Sequence, residues 1–402
     1  MNTFQAKINQ TRNHFKNSDT DLGFRNLVDC VLDTADKTYY QKTIDLVSWK
    51  EQNPEERDQF VQKSLDLLLE LELLTITAKN ENEALAVITD LTKKYRRSSF
   101  EIGPINITIH SGEIWGLVGE NGNGKTSLLR VIAKDLDFDK GTILFSQDLE
   151  QLTLYNQRSH LAYIPQRTPK WHGSLKSNLK FTASQYGIFG EENELLVLMY
   201  IIRFGLWSFR NYKWSELSSG YKMRFELART FLRKPKLLLL DEPLANLDVL
   251  AQQLILEDLK LMAASLSNPL GIILSSQQLF EVEKVADKVI FLKKGSPVYI
   301  DQSKEVKEDS LDETDRVSQK ASAVGQKTIL EMDIQLSKEE LSGIIQGFPV
   351  DQIQFNGGIF IVHISKQACM NEVLQKLIDS NVQITYIRDI SKSSRRFFIQ
   401  NA

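Results

Sequence analysis

Cysteine is scarce: only Cys30 and Cys369 occur in 402 residues, far apart in sequence. That excludes a disulfide framework and a thiolate metal cluster, and it fits a reducing compartment. Charge of one sign is also lacking. Lys and Arg number 49 against 52 Asp and Glu, for a formal net charge of −3. A surface that clamps nucleic-acid phosphates across its whole extent is excluded, although a local basic patch is not. Long apolar runs are missing as well. The longest candidates, Leu195–Ile202 and Leu237–Leu240, fall far short of the ~20 residues a membrane span needs. The first residues, Met-Asn-Thr-Phe-Gln-Ala-Lys, show no basic start followed by an apolar stretch, so no signal peptide is expected. There is no internal repeat. What remains is ordinary: 42% hydrophobic and 25% charged residues describe a globular, soluble chain rather than a disordered or fibrous one. At about 150 residues per domain, the length allows two or three domains.

The pattern changes three times along the chain. Residues 1–82 read as a helical N-terminal domain. Phe24, Leu27, Val28, Val31 and Leu32 recur at helical spacing, Asn53-Pro54-Glu55-Glu56 signals a helix start, and Phe60–Leu74 is leucine-dense. From 83 to 300, short apolar strands (Ile114–Val118, Lys236–Leu240, Gly271–Ser275) alternate with helical stretches, which predicts an α/β domain with a mainly parallel sheet. Residues 301–327 read as an acidic linker, with seven acidic and four basic residues in 301–320. Residues 328–402 read as a small α+β domain. Ile329–Leu336 alternates like a strand, and Ser337 with Glu340 forms a capping box for a helix through Phe348. Asn356-Gly357-Gly358 joins two strand-like runs, Gln367–Ser380 is helical, and Val382–Ile390 is a last strand. The order βαββαβ predicts a ferredoxin-like sandwich.

Chemistry concentrates in the middle block. Gly119-Glu120-Asn121-Gly122-Asn123-Gly124-Lys125-Thr126, followed by Ser127, matches G-x-x-x-x-G-K-[ST] and sits after a predicted strand. Glycines let backbone N–H groups wrap phosphates, and the next helix presents its positive end. Lys125 is placed to reach the β- and γ-phosphates, and the Thr126 hydroxyl to ligate Mg2+. The bland alternative is a glycine-rich turn with an incidental lysine. A second signal is Lys236-Leu-Leu-Leu-Leu240-Asp241-Glu242, a buried strand that releases two acids at its end. Asp241 is expected to hold Mg2+ through water, and Glu242 to orient or deprotonate the attacking water. By itself that pattern is equally a buried strand ending in a charged turn.

The third signal is Leu217-Ser218-Ser219-Gly220-Tyr221, between those two motifs and ahead of a helix containing Arg224 and Arg229. It resembles the Leu-Ser-Gly-Gly-Gln signature of the ABC (ATP-binding cassette) ATPases, over about residues 84–300. The resemblance extends further. Tyr95 looks like the family's adenine-stacking aromatic. Gln166, in Tyr163-Ile-Pro-Gln, looks like the glutamine that senses Mg2+ and the γ-phosphate. Ala245-Asn-Leu-Asp248 resembles the loop that crosses a dimer interface. The resemblance implies a P-loop ABC ATPase core with a helical subdomain, binding ATP and Mg2+. It implies metal contacts from Thr126, Gln166 and Asp241, and catalytic roles for Glu242 and Gln166. It also implies that Ser218 and Gly220 of one subunit close on the ATP of another. One copy of each motif then calls for a second ATP-binding subunit, identical or related. A separate integral membrane permease is the implied partner, with this chain on the cytoplasmic face.

Three departures stand out. Ser219 replaces the first signature glycine, and Tyr221 its glutamine. Gln277, in Ile273-Leu-Ser-Ser-Gln277, stands where the family's switch histidine is usual. A glutamine still donates a neutral hydrogen bond to phosphate but carries no proton, so hydrolysis slowed rather than abolished is expected. The run Lys93-Lys94-Tyr95-Arg96-Arg97 is read as a solvated edge, and no nucleic acid is expected. His160 and His172 have no acid or cysteine at metal spacing and are read as surface residues. Leu195–Trp207 is an apolar helix, read as core, while Arg167, Lys170 and Trp171 are candidates for a permease-facing groove. The C-terminal segment resembles the small appended domain of some export-type ATPases, so export is the favoured direction. The alternative is a soluble, nucleotide-gated module with weak hydrolysis that acts on a protein partner. A turnover comparison with Glu242→Gln separates the two.

Overall fold

Four consecutive leucines with no solvent exposure, Leu237–Leu240 (β6), fit only the centre of a sheet covered on both faces. The computed structural model describes residues 3–77, 83–95, 99–146, 157, 160–301, 328–348, 350–356, 359–364 and 370–390. Arg96 and Arg97 of the basic run, the acidic linker beyond Asp301, the Gly357-Gly358 turn and Cys369 lie outside them.

Strand β6 has Leu161–Ile164 (β5) on one side and Gly271–Ser276 (β7) on the other, both parallel. Ile114–Val118 (β3) and Lys288–Lys293 (β8) continue the parallel sheet, and Ser296–Asp301 (β9) closes it antiparallel, in the order β5-β6-β7-β3-β8-β9. A second, antiparallel sheet is built from Glu101–His110 (β2), Ala84–Lys94 (β1) and Lys140–Phe145 (β4), in that order. One apolar core joins both sheets through Ile105, Ile109, Leu117, Leu129, Leu239 and Ile273. The predicted mainly parallel α/β block is therefore present. It places the residues at the carboxyl ends of β3, β6 and β7 together, where open parallel sheets put their ligands.

Residues 1–77 supply Thr3–Lys16 (α1), Thr20–Thr34 (α2), Lys37–Gln52 (α3) and Arg57–Glu72 (α4). Helix α4 starts at Arg57, with Glu56 at the N-cap, so Pro54 lies in the turn and not in the first helical turn. Phe4, Ile8, Leu27, Val31, Phe60 and Leu68 fill the centre of the bundle. The bundle belongs to the same compact unit as the two sheets, which runs from Met1 to Ser303. Helix α3 packs against the helix Gly190–Arg203.

Charge also joins the bundle to that unit. Arg203 is wholly shielded from water. Its Nε donates to Asp29 Oδ1 of α2, and its Nη1 donates to Asp258 Oδ1, 2.6 Å away on the helix Val249–Ala263. Arg25 donates to Asp258 at 3.1 Å and to Glu257 at 2.7 Å. Asp33 accepts from Lys7 at 2.5 Å, and from the hydroxyls of Ser265 and Ser267 at 3.0 and 2.9 Å. Burial opposes the charge on Arg203, but Asp29 and Asp258 more than offset it and hold its pKa above the ordinary value. Most of Leu195–Trp207 is buried, as expected, but the helix ends at Arg203 and half-buried Trp207 begins a separate 3-10 turn; that the buried face continues through a charged Arg203 was not expected.

Cys30 lies inside α2, and burial pushes its thiol up to about 12. The thiolate is the reactive form, and at pH 8 the folded protein holds almost none of it here. Native protein exposed to iodoacetamide should leave Cys30 unmodified, while protein unfolded in guanidinium should be modified there. Peptide mass mapping that finds Cys30 alkylated at equal rates in both would show that α2 opens readily.

Residues 304–402 form a second unit. Thr328–Ile334 (β10), Val350–Asn356 (β11), Ile359–Ile364 (β12) and Ile384–Asp389 (β13) make an antiparallel sheet in the order β11-β12-β10-β13. The helices Lys338–Ile344 and Met370–Asp379 pack on it through Leu341, Val373 and Leu377. This is the ferredoxin-like arrangement expected from the βαββαβ order. The Ser337/Glu340 capping box is formed, although its helix ends at Ile344 rather than at Phe348.

Candidate active site

The loop after β3 is shaped by glycine. At Gly119 a Cβ would sit 2.6 Å from the Leu292 carbonyl oxygen, so only glycine lets the chain leave the strand there. Gly124 has φ +98° and caps the helix Lys125–Ile132 (α5). A Cβ at Gly122 would meet nothing within 4 Å, which leaves that side of the loop open. Backbone N–H groups and the start of α5 thus face an open side, as anion binding requires. Lys125 is almost wholly buried. Its Nζ donates to the carbonyls of Gly119 (2.6 Å) and Glu120 (3.2 Å) and lies 3.3 Å from Glu242 Oε1. Asn123 is tied to the far edge of the sheet, accepting from Lys294 N at 3.1 Å. Asn121 and Ser127 complete the run, and Ser127 is hydrogen-bonded to the Tyr95 hydroxyl. The Tyr95 ring tilts against Phe100, with centroids 6.1 Å apart.

The end of β6 supplies the acids. Asp241 Oδ2 accepts from the Thr126 hydroxyl at 2.8 Å and from the Tyr163 hydroxyl at 3.4 Å. Its Oδ1 accepts from Ser275 at 2.9 Å. Burial, reinforced by the charge of Asp241, raises the Tyr163 phenol above its ordinary pKa and keeps it a proton donor. Glu242 has a left-handed backbone, φ +47°, which turns its side chain back over the loop. Its Oε2 accepts from Gln166 Nε2 at 2.8 Å and from Gln277 Nε2 at 3.0 Å. Four residues from four distant segments, Lys125, Gln166, Glu242 and Gln277, therefore meet at one carboxylate. A cavity of about 370 Å3 opens beside it, lined among others by Asn246, Gln252, Ser276 and Glu281. That is room for water next to a carboxylate held by an ammonium and two amides.

Ser218 and Gly220 are not part of this cluster. Ser218 caps the helix Ser219–Phe231, and Ser219 donates to the Asn246 carbonyl at 3.1 Å, which places the signature beside the Ala245–Asp248 loop. Among the described residues no hydrogen bond joins Ser218 or Gly220 to the residues around Glu242. Trp171 turns inward: its indole N–H donates to the buried Glu226, and Arg229 lies 4.5 Å from its ring centroid. It thereby connects the segment after Gln166 to the signature helix. Arg167 and Lys170 are exposed as expected. His160, read as a surface residue, is half-buried at the start of β5, and burial lowers its pKa.

Sequence reasoning missed Ser275 and Tyr163. Both are ordinary members of apolar strands, and no spacing marks them. The oxygen groups at Asp241 suit a hard cation: its carboxylate and the hydroxyls of Thr126, Tyr163 and Ser275, with the Gln166 amide on the adjoining Glu242. Among the described residues there is no group of three or more His, Cys, Asp or Glu for a softer metal, and no helix is long and apolar enough to cross a membrane.

Comparison with known proteins identifies the family. The family described as ABC transporter matches residues 102–245. A phosphate import ATP-binding protein of Saccharolobus solfataricus is 30% identical over 216 residues, covering 50% of this chain and 82% of that protein. A putative export ATP-binding/permease protein of Rickettsia typhi is 31% identical over 219 residues, covering 52% of this chain. The chain spans only 36% of that relative's length. Among solved structures, an ATP-binding subunit of an ABC transporter is 25% identical, with a TM-score of 0.47 over 54% of this chain and 90% of that one. With its P-loop, its paired acids and these relatives, the chain belongs to the ATP-binding proteins of the ABC transporter family.

Proposed function

We propose that this chain binds and hydrolyses ATP as the nucleotide-binding subunit of an ABC transporter, and that two such subunits, identical or related, close on two ATP molecules to drive a separate membrane permease. The carrying observation is the convergence of Lys125, Gln166 and Gln277 on Glu242. Lys125 and the N–H groups of Gly119–Thr126 bind the phosphates. Glu242 orients the attacking water and takes its proton, while Gln166 and Gln277 hold the carboxylate where the γ-phosphate arrives. Thr126, Asp241 and Gln166 hold Mg2+, which neutralises phosphate charge when bound. Tyr95 stands ready for the adenine ring, and Ser218 and Gly220 serve the nucleotide of the other subunit.

The working place is the cytoplasmic face of the membrane, through the permease. Export is supported by the name of the Rickettsia typhi relative, a putative export protein, and opposed by that of the Saccharolobus solfataricus relative, an import protein. One observation favours a second reading, a nucleotide-gated module with weak hydrolysis. Gln277 is a neutral donor where a proton carrier would serve turnover.

An affinity pull-down from detergent-solubilised membranes, with Glu242→Gln protein in ATP and Mg2+, tests the assignment. A multi-span membrane protein recovered in near-equal amount is the expected result. Recovery of soluble partners alone, with the bait in the cytosolic fraction, would make the module the better reading.

A further inference from the structure

We propose that Ser275 is a positioning residue for hydrolysis, a single hydroxyl that sets the relative placement of Asp241 and Glu242; this rests on the hydrolysis reading above. Ser275 lies in β7, opposite Leu117 of β3, and has no solvent exposure. It follows Ile272-Ile273-Leu274 and begins the polar carboxyl end of the strand, Ser275-Ser276. A buried hydroxyl without partners is costly, so its presence there asks for a reason.

Both of its hydrogen-bonding capacities are used on the acids. The hydroxyl donates to Asp241 Oδ1 at 2.9 Å, and its oxygen accepts the Glu242 backbone N–H at 2.9 Å. The first bond leaves Asp241 Oδ2 to Thr126 and Tyr163, which fixes the rotation of the carboxyl group. The second bond is made by the one residue of the pair whose backbone is strained. Glu242 sits at φ +47°, a left-handed conformation unfavourable for a residue with a Cβ. Without an acceptor for its N–H, the chain after β6 has less reason to hold that turn. The Glu242 side chain would then leave the place where Lys125, Gln166 and Gln277 meet it. Ser275 borders the cavity beside Glu242, but its hydroxyl is engaged by the two acids. It acts through the two acids, so its loss should lower turnover more than ATP binding.

Threonine and valine are nearly the same size and differ in the hydroxyl, so the pair Ser275→Thr and Ser275→Val separates the hydroxyl from the added volume. Ser275→Ala removes the hydroxyl without adding volume. For all four proteins, kcat and KM for ATP with Mg2+, ATP affinity by calorimetry and the melting temperature should be measured. The expected result is a kcat about tenfold lower in Ser275→Ala and Ser275→Val, with ATP affinity within about twofold of the parent and kcat substantially recovered in Ser275→Thr. Equal kcat in the threonine and valine proteins overturns the proposal, as does a parallel loss of affinity and kcat in Ser275→Ala. The parent protein serves as the check on the reading beneath: turnover that Glu242→Gln leaves unchanged removes the hydrolytic assignment and this inference together. Active parent protein with indifferent Ser275 variants removes only the inference.

Discussion

Replacing Glu242 by glutamine is expected to lower ATP turnover by about 10²–10⁴-fold, the usual contribution of a positioned general base. The substitution keeps length and shape. Its amide oxygen remains able to accept from Gln166 Nε2 and Gln277 Nε2, which now donate to Oε2 at 2.8 and 3.0 Å. What is lost is the proton acceptor and the negative charge 3.3 Å from Lys125. Removing that charge frees the ammonium for phosphate, so ATP affinity should hold or rise while turnover collapses. Single-turnover hydrolysis with labelled ATP, alongside nucleotide binding by calorimetry, checks both halves. A fall in affinity equal to the fall in rate would mean that Glu242 shapes the pocket and takes no part in the chemical step. The Glu242→Gln protein should also accumulate an ATP-held dimer, visible as an earlier peak in size exclusion that is lost when ATP is omitted.

The second large effect lies far from the nucleotide. Arg203→Met should destabilise the unit Met1–Ser303 by about 3–5 kcal/mol, the range for removing one partner of a buried ion pair. Arg203 faces Asp29 and Asp258, and both are almost wholly buried. Methionine fills much of the volume, so packing is nearly kept and the loss is that of the counter-charge. At about 2–4 °C per kcal/mol for large domains, the melting temperature should drop by roughly 6–20 °C. Converting Asp29 to leucine as well removes one of the stranded charges, so the double variant should cost less than the sum of the single changes. Calorimetry of the four proteins measures that coupling. An unchanged melting temperature in Arg203→Met would show that the network contributes nothing net to stability.

These two sites differ in how visible they were beforehand. Gly119–Thr126 and Leu237–Glu242 were legible because their chemistry depends on near neighbours. Backbone N–H groups, a lysine and two acids must occur at fixed short spacing. Four leucines followed by two acids read as a buried strand ending in charge, and the P-loop upstream turned that reading into a site. The meeting of Gln166 and Gln277 at Glu242 was legible only as a resemblance, since no local rule joins positions separated by 76 and 35 residues. Arg203 was opaque. It ends an apolar helix as an ordinary last-turn base would, and its partner in α2 is 174 residues away. Only three-dimensional packing distinguishes a buried guanidinium from a solvated one. Ser275 was hidden for the opposite reason: a lone serine in a strand is common, and what matters is which acids it happens to touch. The helix boundaries that slipped, at Pro54 and Ile344, slipped because capping is decided by one or two hydrogen bonds that propensity does not resolve.

The Arg203 network also bears on how such a chain can be rearranged by recombination. Its cation belongs to the segment between Gln166 and the signature, one of its anions to the first 77 residues, and the other to the helix after Asp248. A crossover that brings in the middle segment from a relative without those ends imports or deletes a buried charge without its counterpart. A chimera that keeps the nucleotide-binding segments should therefore keep the first 77 residues with them. Gene fusions or chimeras that treat residue 83 as a free joint would start several kcal/mol behind the parent.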